Sequence, residues 1–475
     1  MSSIAKNTAF MTIASVGQKI ISFVYFSLVA RHIGAEGTGK YFFAMAFTTV
    51  IVVFVDLGLT SVLVREAAKT REKIQAYFST ILSVKIILGI MAYIAAVVII
   101  NLMGYPVETK HLVYLSAVTM LFDSLHLTLY GVLRAIGNLR YEAIGTISSQ
   151  LITLTLGSIF LYFNLPLIFL ILAFTIPSFL NVCFVTAVLY VKYKINLTPH
   201  FDKHIFIYIG KISIPFALAA IFARIYSYVD SILLSKMAGD IQVGWYSIPY
   251  KITYAFQFIP LALMAALYPR FSEYFISNKE RLAFVFERSI KYLLIIVLPL
   301  AFGIGILSSD IIITFFSKEY LNSIVPLQIL LIGLIFSYIS FPIGAVLNAC
   351  NRQSTQTVII GTVMTINIFL NILLIPKYGV IGAASTALIG NILLASLGYL
   401  IVPQIFKVSH IFLLKSFFQL FLSAVIMSAA VWYVNQFYHF AFAIAVGAVV
   451  YPIMLFLTRA VTKNQMKEAV LLIKK

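Results

Sequence analysis

Apolar and polar positions fall in long blocks along this chain, not in the short alternation of a strand or the stripes of a surface helix. A window of about 19 residues picks out fourteen apolar segments: roughly 6–30, 41–64, 78–101, 112–133, 142–163, 167–191, 208–235, 246–268, 290–308, 324–348, 355–375, 380–403, 412–434 and 440–458. At about 1.5 Å of rise per residue, each is long enough to cross a bilayer core as an α-helix. The runs are continuous, which excludes a closed β-barrel, whose strands alternate. The pattern predicts an all-α polytopic membrane protein with about fourteen transmembrane helices. The first run is too long for a signal-peptide core and lacks a small-residue cleavage site, so it reads as a retained span.

The blocks also repeat. Shifted by 205 residues without gaps, VGQKIISFVYFSLVARHIGAEGTGKY (16–41) lies over IFARIYSYVDSILLSKMAGDIQVGWY (221–246). Gly34 pairs with Gly239, Gly39 with Gly244, and Tyr41 with Tyr246; Lys6/Lys211 and Ala14/Ala219 extend the match upstream. Lys19 lies over Arg224 and Arg31 over Lys236. A weaker echo sets GVLRAIGN (131–138) against AVLNACNR (345–352). Spans 1–6 and 7–12 therefore read as two copies of a six-helix unit. Six is even, so the copies share one orientation about an axis along the membrane normal. The expected division is residues 1–206 for the first lobe, 207–405 for the second, and 406–475 for two further spans and a tail.

Composition agrees with the pattern: 61% of residues are hydrophobic, 11% are charged, and mean hydropathy is +1.01. A soluble globule carries about 25% charged residues. The +18 net charge is mostly a topology signal. Loops on one side hold 23 of the 34 basic residues, including KTREK, RAIGNLR, the segment Arg270–Lys291 and the tail from Arg459. Six basic residues fall in the opposite loops. The positive-inside bias places both termini in the cytoplasm, in a cell (inner or cytoplasmic) membrane. Anionic lipid accounts for any further attraction, and no nucleic-acid partner is needed. Cys183 and Cys350 lie in apolar runs and offer neither a disulfide framework nor a metal cluster. No nucleophile triad, P-loop or metal-ligand motif is present, which argues against an enzyme and against ATP hydrolysis.

Five basic residues remain inside spans: Lys19, Lys85, Lys211, Arg224 and Lys251. Lys19 sits about 16 Å below the outer end of its helix, close to the most expensive depth for a charge. It must face a partner or an aqueous cavity. Lys85 lies at the same depth as Asp123 and His126 on the next span, which predicts an intralobe ion pair. Asp230 lies at the depth of Lys251, and either pairs with it or serves gating or ion coupling. Asp56, closing span 2, either pairs with Lys19 or serves gating or ion coupling. Asn367 and Asn371 read as hydrogen-bond glue between helices.

The segments RHIGAEGTGKYFFA, DLGLTSVLVREAA (56–68) and YPRFSE (268–273) resemble, in order and spacing, the polysaccharide-transporter branch of the multidrug/oligosaccharidyl-lipid/polysaccharide (MOP) exporter superfamily. The resemblance implies two pseudo-symmetric six-helix lobes in a MATE/MOP-like V shape, plus two C-terminal helices that form a lipid-tail groove in some members. It implies a flippase that moves polyprenyl-pyrophosphate-linked oligosaccharide to the outer leaflet by alternating access, with a span-1 cation in the pyrophosphate site. Lys19 matches that cation by position; Arg224, its repeat mate, and Lys251, nearer the exit, join it as candidate pyrophosphate ligands. The implied partners are the lipid-linked glycan, the bilayer, and the polymerase and glycosyltransferases of the same glycan, with a monomer as the working unit. No cofactor is implied; the drive is a coupling ion (H+ or Na+) or the membrane potential. The rivals are a MATE-like multidrug antiporter, which needs cavity carboxylates and apolar walls, and a membrane glycosyltransferase or polymerase, which needs a large outer loop.

Overall fold

The computed structural model describes residues 3–461; side chains of residues 3–15 and of Pro215 and Phe216 lie outside that description, as does the expected tail from residue 462. Lys6 and Ala14 of the repeat match are among those side chains. The described chain is helical: α1 (Ser3–Asp56), α2 (Leu59–Lys69), α3 (Ile74–Leu102), α4 (Val107–Ile136), α5 (Arg140–Tyr162), α6 (Ile168–Tyr193), α7 (Lys203–Ala238), α8 (Asp240–Phe256), α9 (Phe258–Ser277), α10 (Lys279–Ile306), α11 (Ser308–Phe315), α12 (Ile324–Ala349), α13 (Gln353–Ile401), α14 (His410–Asn435) and α15 (Phe440–Leu457). Among the described residues, 12 helical stretches are long and apolar enough to cross a membrane. Two of them, Val16–Asp56 and Gln353–Gln404, each hold two of the fourteen expected spans. The chain bends between those spans at Gly34 and Gly379, which have non-helical backbone.

The helices are built as lipid-facing elements. On α3, Ile87, Ile90, Met91, Ile94 and Val98 recur at helical spacing and are exposed. Lys85, Gly89, Ala92 and Ala96 occupy the buried face. An apolar exterior around a core that tolerates polar groups is what a bilayer selects.

Two compact units divide the chain at Ser247/Ile248. In the first, α4 packs on α1, α2, α3 and α6, while α5 packs on α1 and α6. Its core includes Leu63, Phe78, Leu129, Leu133, Val185 and Leu189, all fully buried. Helix α7 packs along α1 and reaches α2 and α3, so it joins this unit although it opens the second sequence copy. The division by repeat at 206/207 follows self-similarity; the division by packing follows this α1–α7 contact. In the second unit, α12 packs on α9, α10 and α13, and α14 packs on α10 and α15. The two C-terminal helices are tied to α10 by polar bonds: Tyr451 OH donates to the Ile295 carbonyl (2.9 Å), and the Ser409 amide donates to Glu287 (2.6 Å).

The repeat is visible in the backbone. Gly34 (φ 70°, ψ −178°) and Gly239 (φ 88°, ψ 171°) carry the same left-side bend at matched positions. Gly137 and Asn351 share positive φ at the ends of α4 and α12, within the weaker echo. Asn164 and Gly379 share it again where each copy turns into its sixth span. Positive φ is costly for residues with a Cβ, so its recurrence at three joints is a fingerprint of duplication independent of apolar composition.

Candidate functional site

The DLGL stretch is a helix break with a purpose. Helix α1 stops at Asp56, Leu57 (φ 43°) and Gly58 (φ 75°) turn the chain, and α2 starts at Leu59. The break presents the Asp56 carboxylate to both sides. It accepts from the Thr60 hydroxyl in the first turn of α2 and forms an ion pair with Lys85 Nζ at 2.5 Å. Lys85 is buried and also donates to Thr128 Oγ1 (2.6 Å), Thr60 Oγ1 (3.0 Å) and Ser124 Oγ (3.3 Å). Lys85 thus joins α1, α2, α3 and α4. This corrects the expected pairing of Lys85 with Asp123 and His126, and it gives Asp56 a partner other than Lys19. The reason is azimuth. Ser124 and Thr128, one turn apart on α4, face α3; Asp123 and His126 lie on the next face of the same helix, about 100° per residue around.

That second face opens on a cavity of about 460 Å3 inside the first unit, lined by side chains of α1, α4, α5 and α6. Asp123 accepts from Ser178 Oγ at 2.5 Å and lies 3.7 Å from His126 Nδ1. Tyr130 OH donates to Asn181 Oδ1. At the end nearest the basic loops, Arg134 and Glu142 form a bidentate pair.

Of the cations expected to meet a pyrophosphate, Lys19 is half-buried on α1 and Arg224 is exposed on α7. Those two helices pack against each other. Lys251 is half-buried on α8 and falls in the second compact unit. Asp230 is 4% exposed and accepts from Tyr246 OH at 3.1 Å. Asn371 donates to Asn367 Oδ1 (3.0 Å) one turn back on its own helix.

Two features escaped the sequence reading. Glu66, inside DLGLTSVLVREAA, is buried and accepts from Lys69 (2.9 Å) and from Tyr208 OH of α7 (2.9 Å). The Lys69 and Tyr208 hydrogen bonds hold its carboxyl below the usual glutamate value. The other feature is a close contact where α1 bends and α7 turns into α8. Gly39 and Gly244, matched in the repeat, lie against each other's segments: a Cβ on Gly39 would fall 1.8 Å from the Asp240 carbonyl oxygen, and one on Gly244 would fall 2.0 Å from that of Ala35. Around them, Tyr105 OH donates to Ser235 Oγ (3.1 Å), Lys236 Nζ to the Met103 carbonyl (2.7 Å), and Lys40 Nζ bridges Glu36 and Glu108, both at 2.9 Å. The part of α1 that follows the Gly34 bend, the start of α4 and the end of α7 are thereby latched.

Comparison with known proteins matches residues 4–275 to a family model described as polysaccharide biosynthesis protein, and residues 215–373 to the MatE model. An uncharacterized membrane protein of Methanocaldococcus jannaschii is 26% identical over 78% of this chain and 78% of its own length. The Haloferax volcanii protein named "Probable low-salt glycan biosynthesis flippase Agl15" is 23% identical over 81% of this chain and 80% of its own length. Among solved structures, lipid II flippase MurJ in an inward closed conformation superposes with a TM-score of 0.78 at 20% identity, covering 95% of this chain and 99% of that one. The chain therefore shares the fold of that structure. With its first model spanning more than half the sequence, the chain belongs to the polysaccharide biosynthesis protein family.

Proposed function

We propose that this protein is a flippase for polyprenyl-pyrophosphate-linked oligosaccharide, carrying the glycan repeat unit from the cytoplasmic to the outer leaflet by alternating access. The chain is a multi-pass membrane transporter rather than an enzyme; the substrate and its handling are the proposal. The observation that carries it is the pair Lys19 and Arg224, cations at matched positions of the two sequence copies, on helices that pack together. A diphosphate crossing hydrocarbon unaided meets a prohibitive desolvation cost. Cations in a hydrated path replace part of its water, arginine as a bidentate fork and lysine as a mobile charge. Lys251 takes the anion nearer the exit. The drive is H+, Na+ or the membrane potential. Asp56, engaged by Lys85, serves the helix break, which leaves Asp230 as the better candidate for coupling. Polymerase and glycosyltransferases act on the same carrier before and after it, and both termini face the cytoplasm.

The MatE match over 215–373 favours a second reading, an ion-coupled multidrug antiporter. Reconstituted vesicles separate the two. A flippase moves a fluorescent lipid-linked sugar to the opposite leaflet and ignores an ethidium-type cation; a drug antiporter does the reverse.

A further inference from the structure

The cavity inside the first unit is not used by the pyrophosphate reading, and its chemistry is different. Helix α5 carries Thr146, Ser149, Gln150 and Thr153 at spacings of three, one and three residues, a polar stripe along one face of an apolar span, and all four line the cavity. Polar side chains in a membrane helix that turn inward and find no protein partner mark a hydrated space with a task. None of these four hydrogen-bonds to another described side chain. Across the void, His126 Nδ1 is buried without a hydrogen-bond partner, and Gln18 adds a further amide.

The charges in this space nearly cancel. Arg134 is occupied by Glu142, and Asp123 is held by Ser178 with His126 near it. The cavity therefore has no excess positive charge for a phosphate. Polar and apolar surface share the lining about equally, the apolar part coming from side chains such as Leu127, Phe174 and Pro177, the mixed surface a sugar presents in return. Phe174 is fixed by edge and tilted contacts with Tyr25 and Tyr41, a rigid ring against which one sugar face can rest. At about 460 Å3 the space is within the ~300–1,000 Å3 of small-molecule sites. It would hold on the order of fifteen waters at bulk density, far beyond what its orphan groups need.

We infer that this intralobe cavity is a saccharide subsite, taking one or two neutral glycosyl units of the cargo through the Thr146–Ser149–Gln150–Thr153 stripe, His126 and Gln18. It rests on the flippase reading for the source of the sugar, and it separates the tasks within the cargo: cations for the diphosphate, this pocket of paired charges and polar side chains for the glycan. The pocket runs from the Arg134–Glu142 end, on the side of the basic loops, to about the middle of α4, where sugar arriving with the inner-leaflet carrier would enter.

The test uses the full chain in proteoliposomes, with polyprenyl pyrophosphate bearing a labelled disaccharide and the same carrier without sugar as probes. Removing two hydrogen-bonding groups with Ser149→Ala plus Gln150→Leu is expected to lower the rate for the glycosylated carrier about tenfold and to leave the bare carrier unchanged. Equal loss for both carriers, or loss for neither, overturns the subsite. A second measurement does not depend on transport. With Cys183→Ala removing the exposed thiol, Ser149→Cys is labelled with a maleimide in the presence of the free disaccharide. Slower labelling supports the subsite, and labelling unaffected at saturating sugar refutes it. If wild type moves neither carrier, the flippase reading fails, while the protection experiment still decides whether the pocket binds sugar.

Discussion

Substituting Gly39 by alanine adds one carbon where the structure has least room. The new Cβ would lie 1.8 Å from the Asp240 carbonyl oxygen and 2.6 Å from its carbon. An unstrained carbon–oxygen contact is about 3.3 Å, so the two segments must part by about 1.5 Å. Both neighbours are backbone, and no side chain can swing aside. Overpacking of this kind costs about 3 kcal/mol, and at 1.4 kcal/mol per decade the latched fraction relative to the open one falls about 100-fold. Ser235, 5% exposed and bonded to Tyr105 across the latch, is the reporter. Ser235→Cys in a Cys183→Ala background is expected to react slowly with a membrane-impermeant maleimide. It should react at least tenfold faster once Gly39→Ala is added, with glycan export lost. Labelling as slow as in the parent would refute the idea that these glycines let the latched segments close.

Other outcomes follow from the same structure. Lys85→Ala strips the Asp56 carboxylate of its partner; breaking such a pair costs about 3 kcal/mol, read as a lower melting temperature in detergent, whereas Lys85→Met with Asp56→Leu should recover much of it. Glu66 is held ionised by Lys69 and Tyr208, its pKa lowered, so its contribution is full above the ordinary glutamate value and is lost as pH falls through the lower folded value. Wild-type melting temperature should therefore drop below about pH 4, and Glu66→Gln should flatten that part of the profile. Tyr451→Phe removes the bond from α15 to the Ile295 carbonyl and is expected to lower stability by about 1 kcal/mol, with helix content by circular dichroism unchanged.

The spans were legible because each is a continuous apolar run, and the duplication because glycines mark its joints: Gly34 and Gly239 align in sequence and adopt the same bend. Partners inside the bundle were harder. Depth along a helix can be counted from its end, which put Lys85 level with Asp123 and His126, but the rotation of α4 about its axis is set by packing. That rotation turned Ser124 and Thr128 toward Lys85. The polar stripe of α5 was present at helical spacing and passed unread, because serine and threonine are common in spans as packing residues. Glu66 lay inside a segment noticed for its resemblance, and nothing local distinguishes a buried glutamate with a distant tyrosine partner from a solvated one. The packing boundary at Ser247/Ile248 depends on α7 lying along α1, a tertiary fact with no local signal.

Whether Lys19 and Arg224 receive the diphosphate is decided by transport with the Lys19→Ala, Arg224→Ala double variant in proteoliposomes containing fluorescent lipid-linked sugar. The double variant is expected to insert and melt like wild type while translocation falls to the protein-free rate, and Lys19→Arg alone is expected to retain partial transport. Wild-type translocation by the folded double variant would contradict it.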